Sequence, residues 1–253
     1  MAQDIPRKVL VVIGTGGMGL PIARRLASGR NLLLADYSDA NLSAAPATLR
    51  SEGHDPKCHA VNITDFNAVC KLAQLATETG QIEAIIHTAG VAPGTANAKQ
   101  IFEVDLLGTA NVIEAFFPIV SPGTSLICIA SMAGSLAELS SDLERHLATA
   151  PLDQLLQHKD IDLEISNPGM AYGLAKRGNQ LRVQAAARAW GSKGARLNSV
   201  SPGIISTSLA QKQLEGPMGD HMKSLIDLVQ GSCAVRCVAP WLKRINISVW
   251  LKG

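Results

Sequence analysis

The sequence predicts an α/β fold, a doubly wound parallel sheet in three layers forming a single domain. Two observations lead there. Six short apolar runs alternate with stretches of helical periodicity along the 253 residues, and strands that alternate with helices build a parallel sheet covered on both faces. No internal repeat or low-complexity linker divides the chain. Right-handed crossovers then leave double winding as the natural arrangement.

The elements follow in order. KVLVVIG (8–14) is an apolar run stopped by glycine, and LPIARRLASG (20–29) is a helix ending at Gly29. NLLLAD (31–36) is a second strand ending in an acid. Ser38 then offers an N-cap and Gly53 a stop for the next helix, with Pro46 obscuring its path. CHAVNIT (58–64) reads as a third strand, followed by a helix over 65–80 capped by Thr64 or Asp65. EAIIHTAG (83–90) is a fourth strand, and a long helix fits 97–120. SLICIAS (125–131) and ARLNSVSPG (195–203) complete the set.

Composition narrows the function. With 47% hydrophobic and 17% charged residues the chain is globular rather than disordered. A net charge of +2, with basic residues dispersed, argues against nucleic acid and against an anionic membrane surface. Aromatic residues at 4% are too sparse for a single-strand stacking platform. No run of 18 apolar residues exists to span a membrane, and the start of the sequence lacks a signal-type apolar region. The five cysteines are scattered without metal-type pairing, so no metal is expected and reduced thiols in the cytoplasm are.

The first strand runs directly into GTGGMG, which sets Gly14, Gly16 and Gly19 in a G-x-G-x-x-G pattern with Gly17 and Met18 between them. Such a Rossmann-type loop lets backbone approach a pyrophosphate, and the following helix offers free N–H groups and a positive dipole end. Asp36, 22 residues after Gly14, ends the second strand near the ribose-binding position. Its carboxylate can accept both ribose hydroxyls but would repel a 2′-phosphate, and Tyr37 and Ser38 supply no cation. NAD is therefore the expected cofactor.

Tyr172 and Lys176 lie one helical turn apart. Alone, Tyr-x-x-x-Lys recurs by chance. Behind a glycine loop, and with IASMAG (129–134), AYGLAK (171–176) and RLNSVSPGIIST (196–207) in order, the chain resembles the short-chain dehydrogenase/reductase family through about residue 207. The resemblance implies interconversion of an alcohol and a ketone, with Tyr172 as acid/base, Lys176 tuning it and holding the nicotinamide ribose, and Ser131 donating to the substrate oxygen. The chemistry suits these residue types. A phenol ionises near pH 10, and an ammonium about one turn away lowers that by roughly 1–3 units. The resemblance further implies adenine contacts at Asn62 and Ile63, cofactor lining at Ala89 and Gly90, and carboxamide and pyrophosphate contacts at Pro202, Gly203, Ile205 and Thr207. Asp105 stands where the family usually has Asn, whose backbone carbonyl holds a relay water. His87 and Thr88 replace two amides, and His87 reads as a strand-end histidine satisfied by local backbone rather than a base. A homodimer or homotetramer is expected.

Two departures stand out. Forty residues separate Ser131 from Tyr172, several times the family's usual spacing. The extra segment, 135–168, reads as two short amphipathic helices forming a lid or a subunit contact. Similar insertions in bacterial hydroxysteroid dehydrogenases and carbonyl reductases point to a bulky apolar or steroid-like substrate. After Gln230 the composition shifts: residues 230–253 hold Trp241, Trp250, Cys233 and Cys237 in place of the family's final strand, which reads as an atypical tail or a change of reading frame. A non-catalytic NAD(H)-binding sensor or assembly subunit and an S-adenosylmethionine-dependent methyltransferase are the competing readings. The second leaves Ser131, Tyr172 and Lys176 without a purpose.

Overall fold

The computed structural model describes residues 7–205 together with Thr207, Glu215 and Gly219. Six strands, β1 (Lys8–Ile13), β2 (Asn31–Asp36), β3 (Pro56–Ala60), β4 (Gln81–His87), β5 (Ser125–Ile129) and β6 (Arg196–Val200), form one sheet in the order β3-β2-β1-β4-β5-β6. Every pairing is parallel. The order reverses between β1 and β4, so a crevice opens at their carboxyl ends, the place where doubly wound sheets take ligands.

Side-chain alternation along the strands feeds two cores. Val9, Val11 and Ile13 of β1 pack with α3 (Phe66–Thr79), α5 (Gly108–Phe116) and α8 (Pro168–Ser192), where Phe116 and Trp190 are fully buried. Leu10 and Val12 face the other way, onto α1 (Gly19–Leu26) and α2 (Asp39–Ser51). Ser38 caps α2 by accepting from Asn41 N–H at 3.3 Å, and Asp65 caps α3 through Asn67 and Ala68 N–H. Pro46 is accommodated inside α2.

The strand ends differ from the sequence pattern for identifiable reasons. β3 stops at Ala60 rather than continuing to residue 64, because Asn62 Oδ1 accepts from Thr64 N–H at 3.1 Å and closes a turn. β4 leaves the ladder after His87, where Thr88 and Ala89 N–H both turn to the Ile13 carbonyl, at 2.8 and 2.9 Å.

The long helix expected over 97–120 is not uniform. α4 (Ala98–Ile101), started by an Asn97/Gln100 capping box, passes into a π-helical turn over Phe102–Leu107 before α5 begins. The wider turn accommodates one extra residue and re-aims the side chains on it, a device frequent at functional sites.

The 135–168 segment forms α7 (Ser141–Thr149) and then a chain of turns, not two helices. Pro151 follows directly on α7, and Nδ1 of His158 and Oδ1 of Asp162 accept from N–H groups two residues onward. Such local bonds compete with helix. Leu143, Leu147, Leu155 and Ile161 nevertheless form a third core with Phe102, Leu106, Ala171 and Ala175. Among the described residues no helix is long and apolar enough to cross a membrane. The tail 230–253 lies outside the described residues.

Candidate active site

The glycine loop is built by close approach. A Cβ on Gly19 would lie 1.8 Å from the Gly14 carbonyl oxygen, and Gly14, at φ +89°, would drive one into the Ala89 backbone at 2.4 Å. Only glycine fits either position. Thr88 Oγ1 donates to the Gly14 carbonyl at 2.7 Å and ties the loop to the end of β4. Thr207 sits over the loop, within 2.9 Å of where a Cβ on Gly17 would be.

Asp36, 8% exposed, is the knot of this end. Its Oδ2 accepts from Thr15 N–H at 2.6 Å, Thr15 Oγ1 at 2.9 Å and Asn41 Nδ2 at 3.1 Å, while Oδ1 accepts from Ser38 N–H at 2.8 Å. One lone pair on Oδ1 is left for an incoming hydroxyl. The expectation that both ribose hydroxyls meet this carboxylate therefore narrows to one.

Ile63 is buried and pinned by Asn111 Nδ2, which donates to its carbonyl at 2.8 Å, whereas Asn62 is exposed with its amide oxygen turned to Thr64. The first turn of α1 has no capping side chain and no acid, and Met18 at its start lines the crevice. The donor set fits a dinucleotide: uncapped helical N–H groups, a glycine cradle and one carboxylate at the adjacent strand end.

From Met18 the crevice runs as one cleft of about 910 Å³ past Thr88, Gly90, Ser131, Tyr172, Lys176, Pro202, Gly203, Ile205 and Thr207. Its outer wall is mostly apolar and comes in large part from the inserted segment, through Leu136, Ala137, Leu139, Leu143 and Ile165. Ala89 packs behind it in the sheet core.

Ser131, at the end of β5, caps α6 (Met132–Leu136): its Oγ accepts from Ala133 N–H at 3.2 Å. Gln180 Nε2 holds the Ser131 carbonyl at 3.2 Å and reaches Ser201 Oγ at 2.9 Å, fixing the serine's backbone from α8. α6 lies on α8 backbone to backbone: a Cβ on Gly134 would come within 2.7 Å of Lys176 C and Arg177 N.

Tyr172 and Lys176 share one face of α8, with Lys176 Nζ 5.4 Å from the phenol ring centroid. Lys176 is buried, and its Nζ stands 3.4 Å from Oδ2 of Asp105, a residue with no exposed surface. Burial opposes the ammonium, but the Asp105 carboxylate and Tyr172 outweigh it and raise the Lys176 pKa. Asp105 Oδ1 accepts from Val91 N–H at 2.8 Å, and its carbonyl accepts from Thr109 Oγ1 at 2.7 Å. The Asp105 side chain is thus engaged as well as its carbonyl. His87 is no base: burial, then the Lys176 charge, push its pKa down to about 3. Its partner is a side chain rather than local backbone, since Nε2 lies 3.0 Å from Thr109 Oγ1. As that hydroxyl's proton goes to the Asp105 carbonyl, the imidazole is the Nε2–H tautomer.

The short chain dehydrogenase family model matches residues 7–141, more than half of the chain. The chain belongs to the short-chain dehydrogenase/reductase family. A second model of this group, enoyl-(acyl carrier protein) reductase, matches 162–230 and ends where the composition shifts. Short-chain dehydrogenase/reductase bsc3 of Alternaria brassicicola is 34% identical over 205 residues, covering 80% of this chain and 75% of that protein. Carbonyl reductase [NADPH] 3 of Rattus norvegicus is 26% identical over 235 residues, covering 82% and 84%. A short-chain dehydrogenase/reductase from Brucella melitensis, titled glucose/ribitol dehydrogenase, superposes with a TM-score of 0.65 at 23% identity, covering 88% and 83%, and shares the fold. This short-chain dehydrogenase/reductase is accordingly an oxidoreductase, of a family that binds a nicotinamide cofactor.

Sequence reasoning misses Thr15, Thr109 and Gln180, which act through other residues, and singles out Thr88 without its bond to the glycine loop. A signal existed for Gln180: Asn179, Gln180 and Arg182 are polar at successive buried positions of one helix.

Proposed function

We propose that this chain is an NAD(H)-dependent enzyme that interconverts a secondary alcohol and a ketone on a bulky apolar, steroid-like substrate. The observation that carries the reading is one cleft holding Ser131, Tyr172 and Lys176 at its inner end and an apolar wall from residues 135–168 at its outer end. A nicotinamide dinucleotide bound along the glycine loop supplies or accepts the hydride. Ser131 donates its O–H to the substrate oxygen: one of its two lone pairs is engaged by the Ala133 N–H, which orients the hydroxyl. Tyr172 takes the alcohol proton or returns it to the forming alkoxide. Lys176 stabilises the phenolate electrostatically and faces the nicotinamide ribose. Gly14, Gly16, Gly17, Met18 and Gly19 hold the pyrophosphate with Thr207, and Pro202, Gly203 and Ile205 face the carboxamide. Gly90 lines the cofactor between these ends with Ala89 packed behind it, and Asn62 and Ile63 flank the adenine.

NAD is favoured over NADP by the Asp36 carboxylate, with no Lys or Arg in 14–19 or 37–41 to accept a 2′-phosphate. The family resemblance carries a cytoplasmic homodimer or homotetramer with the same reading. The test is NADH formation, followed by near-ultraviolet absorbance, with NAD and a panel of bulky secondary alcohols including steroids, beside Tyr172→Phe. Turnover that vanishes in the variant supports the enzyme. Tight NADH binding without turnover on any substrate overturns it in favour of a non-catalytic NAD(H)-binding subunit, a reading to which the Asp105–Lys176 pair gives some support by committing the lysine to a carboxylate.

A further inference from the structure

Among the described residues, the charged and titratable groups facing Lys176 come from four elements packed on it. On α8 itself Tyr172 lies one turn away. From β5 comes Cys128, whose thiol burial pushes up to about 12 and which is therefore neutral. From β4 comes His87, neutral for the same reason, since burial pushes a cation's pKa down, here to about 3. From the π-helical turn comes Asp105, with no exposure and, among the described residues, no partner for its Oδ2 closer than the ammonium 3.4 Å away; burial pushes its carboxyl pKa up against the opposing pull of the Lys176 charge and the Val91 N–H, so the pairing stands on this contact. A Cβ on Gly90 would fall 2.9 Å from Asp105 Oδ1 and 3.3 Å from Lys176 Nζ, so the pair is walled in by a residue that has no side chain to give it room.

We propose that Asp105 is a positioning residue of this site, whose carboxylate, and not its main chain, fixes Lys176 as an ammonium beside Tyr172. The π-helical turn makes the contact possible by aiming the carboxylate inward, where Val91 N–H orients Oδ1 and leaves Oδ2 to the lysine. Thr109 occupies the Asp105 carbonyl and in turn accepts from His87, so the polar atoms run His87, Thr109, Asp105, Lys176 from sheet to cleft. A buried ammonium without this partner would lose its proton readily. The role rests on the proposed dehydrogenase reading, but its test uses neither cofactor nor substrate.

The full-length protein is acetylated briefly with acetic anhydride across a pH series, and labelling is read peptide by peptide by mass spectrometry, with Lys71 on the exposed side of α3 as internal reference. Only the neutral amine reacts, so the pH midpoint, not the extent, reports the lysine's charge. The expected result is a Lys176 midpoint above that of Lys71 in the unaltered protein, falling by roughly 1–3 pH units in Asp105→Asn. Asn keeps the Val91 contact and the volume, so a merely structural role would leave the midpoint unmoved. A Lys176 midpoint at or below that of Lys71, or one unchanged in a folded Asp105→Asn, overturns the proposal. Should the variant fail to fold, the comparison within the unaltered protein decides. An enzyme inactive on every alcohol but showing the raised midpoint would sink the dehydrogenase reading and leave the pairing intact.

Discussion

Ser131 has one hydroxyl for two ends: its oxygen caps α6, and in the proposed reaction its proton goes to the substrate. Ser131→Ala removes both. It should lower turnover on the identified substrate about 10²–10³-fold, as loss of a preorganised donor does, and cost about 1 kcal/mol of stability as a lost cap, read by steady-state kinetics and a denaturant titration. His87 gives a pH prediction with a definite sign. Its folded pKa of about 3 lies below the ordinary 6.5, so between those values the unfolded chain binds a proton that the folded one refuses. Its share of stability is intact above pH 6.5 and is lost as the pH falls through this window, by about 1.4 kcal/mol per unit. His87→Asn should flatten the acid limb of the stability curve by about one proton's slope. An unchanged limb in urea titrations at pH 4.5 and 7 would contradict the assignment. The proposed acid/base pair was legible in the sequence because the ordered segments around Tyr172 and Lys176 resemble the family's, whereas their spacing alone recurs by chance. Asp105 was legible as a position but not as a role, since nothing in VDLLGT marks a π-helical turn that swings a carboxylate onto a lysine 71 residues away.

The inserted segment is fastened to α8, the helix that carries Tyr172 and Lys176. Arg177 on α8 bonds Glu144 on α7 at 2.6 and 3.1 Å, and the Arg182 guanidinium donates to the carbonyls of Leu147 and Ala150 at 3.3 and 2.5 Å. Leu147, fully buried, approaches the back of α8 at Gly178. Leu147→Ala should therefore cost roughly 2–5 kcal/mol in a chemical melt, and at temperatures where it stays folded should raise KM for a bulky substrate more than it lowers kcat. An equal loss in both would mean that this wall does not contact substrate. Strands and helices were read from periodicity with ends displaced by a few residues, because the signals that stop them, such as the Asn62–Thr64 turn, are single side-chain bonds. The second helix expected in the insertion fails for a like reason: leucine spacing was present, but Pro151 lacks an N–H and His158 and Asp162 bind their own backbone neighbours.

For the molecule as a whole, the sheet order brings glycine loop, serine, tyrosine and lysine to one edge from segments more than 150 residues apart. The sheet followed from strand–helix alternation, and the gathering of serine, tyrosine and lysine from the family resemblance; the knot at Asp36 followed from neither, because its donors come from the glycine loop and the start of α2. NADH should bind at least tenfold more tightly than NADPH, measured by fluorescence titration, and Asp36→Ala should narrow that ratio while also lowering the melting temperature, since Thr15, Ser38 and Asn41 lose their common acceptor. The contact at Gly134 has a wider implication. Where two main chains touch, the separation between the serine and the tyrosine–lysine face is a hard dimension that no side-chain exchange can tune, whereas the outer wall of the cleft hangs on leucines and turns. Diversity introduced across 136–165 can thus re-specify what enters without altering the reacting geometry, so the chain is divided into a portion for chemistry and a portion for taste.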